Sequence, residues 1–242
     1  MQLVEERRRA APPRHETSRP PLLPGPAHRH RRGPVSSQHV SESLWAASGD
    51  ELLRRTASAE PTPGGGSIAA HAASLGAGLV LMAIDVTLAG KGMDDDAAAT
   101  LHEARTRGEG ILETLRAAVD VDVEVFEALM DAYRMPRGDD AERAERTAAI
   151  RVETVVATVA PLDVADAALE AVAFSTAVEP LVKTGVRSDV LAGRDLLLGA
   201  ARAAIRTADV NLAGLDDEPA LQERRQRAWD AILTALEVGS RA

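Results

Sequence analysis

An all-α fold, an up-and-down bundle of five to six helices, is what this chain predicts, on three observations. Apolar residues make up 45% of the sequence, yet aromatics only 2%, and Ala dominates, which is the composition of helices rather than of strands. Gly and Pro gather at a few places instead of punctuating the chain every eight to twelve residues. Between those places the apolar residues either recur at the helical period or run without a polar break. At 242 residues one domain with a real core fits comfortably.

Taken in order, residues 1–40 are rich in Pro, Arg and His, with no apolar period, and are expected to be a disordered basic extension. The segment lacks the apolar stretch of a secretory signal. The folded domain is assigned to residues 41–242, with order beginning near Ser43. A short helix is expected over 50–57, with Leu52 and Leu53 inward, then the loop PTPGGGS ending at Ser67. A long helix over 68–88 is apolar on every side, the signature of a helix at the centre of a bundle. Its uncharged stretch, 67–84, just reaches membrane-spanning length, but it is mildly hydrophobic and Asp85 and Lys91 follow, so no membrane partner is expected. Small residues four apart (Ala69, Ala73, Ala77 and Ala70, Ser74, Gly78) form a ridge for close helix approach, in the core or between copies.

Leu101, Ile111, Leu115, Val119, Phe126 and Leu129 describe a second long helix ending near Tyr133, before Pro136 and Gly138. A third helix over 141–160 is expected to stop at Pro161. A fourth runs on to about Thr184, a fifth spans 189–210 and a last 219–237.

Composition excludes some chemistries. There is no Cys, hence no disulfide, thiolate metal site or cysteine nucleophile. Eight Arg against three acids in residues 1–40 leave an acidic body of twenty Lys and Arg against thirty-four Asp and Glu, which argues against nucleic acid as a partner. Four of the six His fall in the extension, and His71 and His102 have no ligand spacing, so no metal is expected.

Three local features carry chemistry. Gly64, Gly65 and Gly66 before Ser67 expose backbone N–H groups at a positive helix end, where anions bind; the plain alternative is a sharp turn with Ser67 as N-cap. In the run DVDVEVF, Asp122 falls seven residues after Leu115 and four before Phe126, on the inward stripe, with Asp120 and Glu124 to its sides. Burial raises a carboxyl pKa and keeps the neutral acid that can protonate a leaving group; the alternative is an Asp paired to Arg or an amide. Third, Ser188 is a candidate N-cap, and Asp189 and Asn211 are assigned to one polar cleft, although helix capping alone would account for the Ser188–Asp189 pair.

The order of these pieces over about 50–237 resembles the formiminotetrahydrofolate cyclodeaminase and methenyltetrahydrofolate cyclohydrolase family. The matching segments are PTPGGGSIAAHAASLGAGL, VDVDVEVFEAL with YRMP after it, ERTAAI followed by APLDVADAAL, and RSD with VNL. The resemblance implies a dimeric helical bundle acting in the cytoplasm on a tetrahydrofolate that carries a one-carbon unit, with no cofactor, since folate is the substrate. It implies Asp122 as proton donor. The glycine loop with Ser67, and Asp120, Asp189 and Asn211, would meet the substrate, and Lys91, Lys183 and Arg187 its carboxylates. Cyclodeaminase activity on 5-formimino-tetrahydrofolate is the first expectation, cyclohydrolase the second, and a catalytically inactive folate-binding or structural helical dimer the third. Two departures from the pattern stand out: the short run from Gly185 to Arg187, and Thr207 where the family pairs a second Asn with Asn211.

Overall fold

The computed structural model describes residues 43–239; the extension expected at 1–40 lies outside them. Six α-helices follow one another: α1 (Gly49–Thr56), α2 (Gly65–Leu88), α3 (Asp95–Arg134), α4 (Asp140–Val178), α5 (Arg187–Leu212) and α6 (Pro219–Gly239), and no strand occurs among the described residues. Three starts are capped by polar side chains: Ser48 accepts from the Glu51 N–H, Asp94 from that of Ala97, and Asp139 from that of Glu142. Each cap satisfies a donor the first turn would orphan. α1 turns Leu52 partly inward but leaves Leu53 68% exposed, against expectation. Its one apolar face is too short to enclose two adjacent leucines.

α2 to α5 form an antiparallel four-helix core, with α6 packed on α4 and α5. α2 is long and apolar enough to cross a membrane, and here it packs against α3, α4 and α5 on all but one face, where Leu75 and Val86 are exposed, against the expectation of burial on every side. Its small-residue ridges serve that core: Ala69, Ala73, Ala77, Ala70 and Ser74 are buried. The closest approach is a glycine pair. A Cβ on Gly76 would lie 2.7 Å from the Gly193 carbonyl, and one on Gly193 would lie 2.6 Å from that of Gly76. Similarly, Gly108 of α3 leaves room for Leu81 and Phe174.

The helix expected to stop at Pro161 does not stop. α4 runs unbroken through it, with Pro161 buried, so the third and fourth helices of the sequence reading are one. Proline lacks the N–H that would bond the Ala157 carbonyl, and that carbonyl instead accepts from Asn211 Nδ2 of α5 at 2.9 Å. At the far end of α4, Glu179 accepts from Arg187 and Arg194, and Arg194 also donates to Ser175 Oγ, pinning the α4–α5 corner. These two cations hold the Glu179 carboxyl below the usual range.

Candidate active site

The first turn of α2 begins three residues earlier than the periodicity indicated, because glycines tolerate the entry and Gly64 takes the N-cap position without a side-chain bond. Ser67 is therefore inside the helix, buried, and its two donors are free to point sideways. Both reach one atom: Ser67 N and Ser67 Oγ donate to Asp122 Oδ2, each at 2.8 Å. The other carboxylate oxygen lies flat on the helix start, where a Cβ on Gly66 would sit 1.9 Å from Oδ1. Gly66 is thus the residue that lets α3 bring a carboxylate onto the end of α2.

Asp122 is half-buried, and burial pushes its carboxyl above the ordinary value, with the Ser67 hydroxyl and N–H pulling part of the way back. Among the described residues no Arg or Lys pairs with it, and burial prevails over the two hydrogen bonds. Gly65 faces α5: a Cβ there would lie 3.0 Å from Thr207 Oγ1. One turn beyond Thr207 is Asn211. Glycine loop, Ser67, Asp122, Thr207 and Asn211 therefore meet at one end of the bundle. The Gly65 and Gly66 N–H groups belong to the first turn, which has no intrahelical acceptor for them, and together with the helix dipole they offer positive potential to an oxygen gaining charge.

The remaining sequence-assigned residues are elsewhere. Both Asp120 oxygens are taken, one by Ser43 Oγ at 2.5 Å and one by the Leu44 N–H at 2.8 Å. That contact straps residues 43–46 across α3, where Trp45 donates to the Arg116 carbonyl and stacks on His71 at 4.1 Å. Asp120 is a structural anchor, the reason being that both its carboxylate oxygens are occupied by residues 43 and 44. His71, one turn after Ser67, is held below the ordinary imidazole range by burial.

Asp189 and Asn211 do not share a cleft. They lie at opposite ends of α5, about 33 Å apart at 1.5 Å per residue. Lys183 sits beside Gly90 and donates its N–H to Thr87 Oγ1 at the other end of α2, Lys91 follows there, and Arg187 is bonded to Glu179. Within one chain these three cations and Asp189 are remote from Asp122. Ser188 is not an N-cap either; Val186 holds that position with no side-chain bond. What the sequence reading missed is Pro161, buried at the level of Asp122, and its tie to Asn211. No local pattern links a proline to an amide fifty residues on.

Residues 48–230 match the family model described as formiminotransferase-cyclodeaminase. The methenyltetrahydrofolate cyclohydrolase of Methylorubrum extorquens is 36% identical over 177 residues, which cover 72% of this chain and 84% of that protein. The formimidoyltransferase-cyclodeaminase of Rattus norvegicus is 30% identical over 132 residues, covering 54% of this chain but only 24% of the rat protein. In three dimensions the crystal structure of formiminotetrahydrofolate cyclodeaminase from Thermotoga maritima superposes with a TM-score of 0.69 over 80% of this chain and 94% of that one, at 20% identity, a likeness of fold.

Proposed function

The chain belongs to the formiminotransferase-cyclodeaminase family, a family of folate one-carbon enzymes, and we propose that it is a methenyltetrahydrofolate cyclohydrolase, interconverting 5,10-methenyl- and 10-formyl-tetrahydrofolate. The observation that carries the choice is the similarity to the Methylorubrum cyclohydrolase along 84% of that protein's length. Cyclodeaminase activity, placed first by the sequence motifs, is the second reading, favoured by the rat relative.

Both reactions need one acid at one carbon. In the hydrolytic direction, water adds to the methenyl carbon and loses a proton to solvent, giving a carbinolamine. The Asp122 carboxyl then protonates N5 as the C–N5 bond breaks, and its carboxylate takes the hydroxyl proton as the formyl C=O forms on N10. The sum is methenyl cation plus water giving 10-formyl product and one proton. Burial raises the Asp122 pKa and so favours its acid form, and because Oδ2 accepts both Ser67 bonds, Oδ1 is the oxygen left to carry the proton. The Gly65 and Gly66 N–H groups stabilise the oxygen as charge develops on it. In the cyclodeaminase reading the same proton goes to departing ammonia as N10 attacks the formimino carbon.

The outward face of α2 supports a homodimer. Ile68, Ala72, Leu75, Leu79, Met82 and Val86 alternate four and three apart, a heptad seam, yet Leu75 is 56% exposed and Val86 43%. We propose that a second copy covers it.

Loss of methenyl-tetrahydrofolate absorbance above the spontaneous rate tests the function, with Asp122→Asn beside the wild type. The cyclohydrolase requires catalysed loss, reduced at least about a hundredfold in the variant. Stable methenyl-tetrahydrofolate, with product forming from 5-formimino-tetrahydrofolate instead, selects the cyclodeaminase. No reaction from either points to the inactive module.

A further inference from the structure

We propose that Pro161 is a positioning residue for the active site: by removing a helical donor it dedicates the Ala157 carbonyl to Asn211, and so fixes the Asn211 amide with Oδ1 presented as an acceptor for a donor group of the pterin ring. This rests on the folate reading above and adds to it the residue that sets the polarity of one contact.

The argument begins with a bond that α4 cannot make. In a continuous helix the residue 157 carbonyl would accept from the residue 161 N–H. Proline has none, and its ring crowds that carbonyl and tilts it outward from the helix axis. A buried carbonyl left so would be an unsatisfied acceptor, which destabilises the fold. Asn211 Nδ2 fills the place at 2.9 Å, from α5, which packs against α4.

The consequence falls on the other half of the amide. A carbonyl can only accept, so the atom facing it must be Nδ2, and Oδ1 is turned away from α4. No hydrogen bond to Oδ1 occurs among the described residues. Asn211 is half-buried one turn beyond Thr207, about 6 Å along α5, and Thr207 faces the glycine loop that backs Asp122. Thr207 gives its own hydroxyl proton to the Ala203 carbonyl at 3.3 Å, so it too offers the site an acceptor oxygen. The wall formed by α5 is therefore an acceptor wall, and a tetrahydropterin presents donors in its ring N–H and 2-amino groups. A free asparagine could flip and offer either atom; this one is held to one choice.

Three variants test the assignment, Pro161→Ala, Asn211→Leu and the double, with thermal melts, KM and kcat for the folate substrate, and tetrahydrofolate binding by fluorescence quenching. Pro161→Ala regains a helical hydrogen bond, so the melting temperature should hold or rise. KM should nevertheless increase about three- to tenfold with kcat nearly unchanged. Asn211→Leu should increase KM about tenfold, and the double variant should match Asn211→Leu, because Pro161 acts only through Asn211. A Pro161→Ala enzyme with wild-type KM, or a double variant whose KM is the product of the two single effects, overturns the assignment. So does an Asn211→Leu enzyme that melts lower with unchanged KM, which would make the contact structural. A wild type that binds no tetrahydrofolate removes the folate reading as well as this one; a wild type that binds it, with KM indifferent to all three, removes this one alone.

Discussion

Asp122 owes its position to a hydrogen atom, the one that Gly66 has in place of a side chain. With the methyl group of alanine the carboxylate oxygen would have to leave, since the Cβ would sit 1.9 Å from it, and the two bonds to Ser67 would go with it. Gly66→Ala is expected to lose activity as fully as Asp122→Asn, about a hundredfold or more, measured in the same absorbance assay with circular dichroism confirming the fold. The carboxyl itself titrates with a definite sign. Its folded pKa lies above the unfolded value near 3.9, so its contribution to stability is full below that value and is lost as pH rises through the raised folded pKa. Asp122→Asn should therefore melt at or above the wild type at neutral pH, with the difference shrinking toward pH 4. Because the acid form donates the proton, wild-type kcat should fall as pH rises past the same folded pKa. That pH limb should be missing from the residual activity of the variant. The carboxylate was legible from its place on an apolar stripe. Its neighbours were only half legible: the glycines announce a close approach without saying to what, and the sideways reach of Ser67 depends on a helix start three residues earlier than periodicity gives.

The helices were legible wherever composition decided them. Ser48, Asp94 and Asp139 cap their helices through side chains drawn from the residue types that do so, and the long apolar α2 is a core helix, as its pattern requires, on every face but the one that carries Leu75 and Val86. The failure at Pro161 has a physical reason. The rule that proline ends a helix assumes an unmet carbonyl, and here a different helix meets it. A second feature invisible in sequence is the crossing of α2 and α5, because glycines in helices read as weakness until a partner backbone is placed against them. Gly193→Val puts carbon where the Gly76 carbonyl lies, 2.6 Å from the first added atom. The expected cost is about 1–3 kcal/mol, a drop of several degrees in melting temperature at this size, whereas the same change at Gly199, which has open space around it, should leave the melting temperature unchanged or slightly raised, because valine is the better helix former of the two.

At the scale of the whole molecule the antiparallel order sorts residues by level. Gly66 meets Asp122, Pro161 is level with both, and Thr207 follows on α5, while Lys91, Lys183, Arg187 and Asp189 are carried to the opposite end. Sequence spacing has no access to that sorting, since it depends on how long each helix runs before the chain turns; two polar residues on one helix seem near until the helix between them is found straight. The outward seam of α2 belongs to this scale too. Sedimentation should give about twice the 25.5 kDa chain mass for the wild type and a monomer for Leu75→Glu combined with Leu79→Glu, and a monomeric wild type would sink the pairing. The turn between α2 and α3, where Gly92 takes a positive φ of 84°, lies at the end remote from Asp122 and is exposed. That makes it a natural port: a dye, an affinity tag or a whole inserted domain placed there has about 30 Å of helix between it and the chemistry, so this enzyme can be read out or tethered from one end while it works at the other.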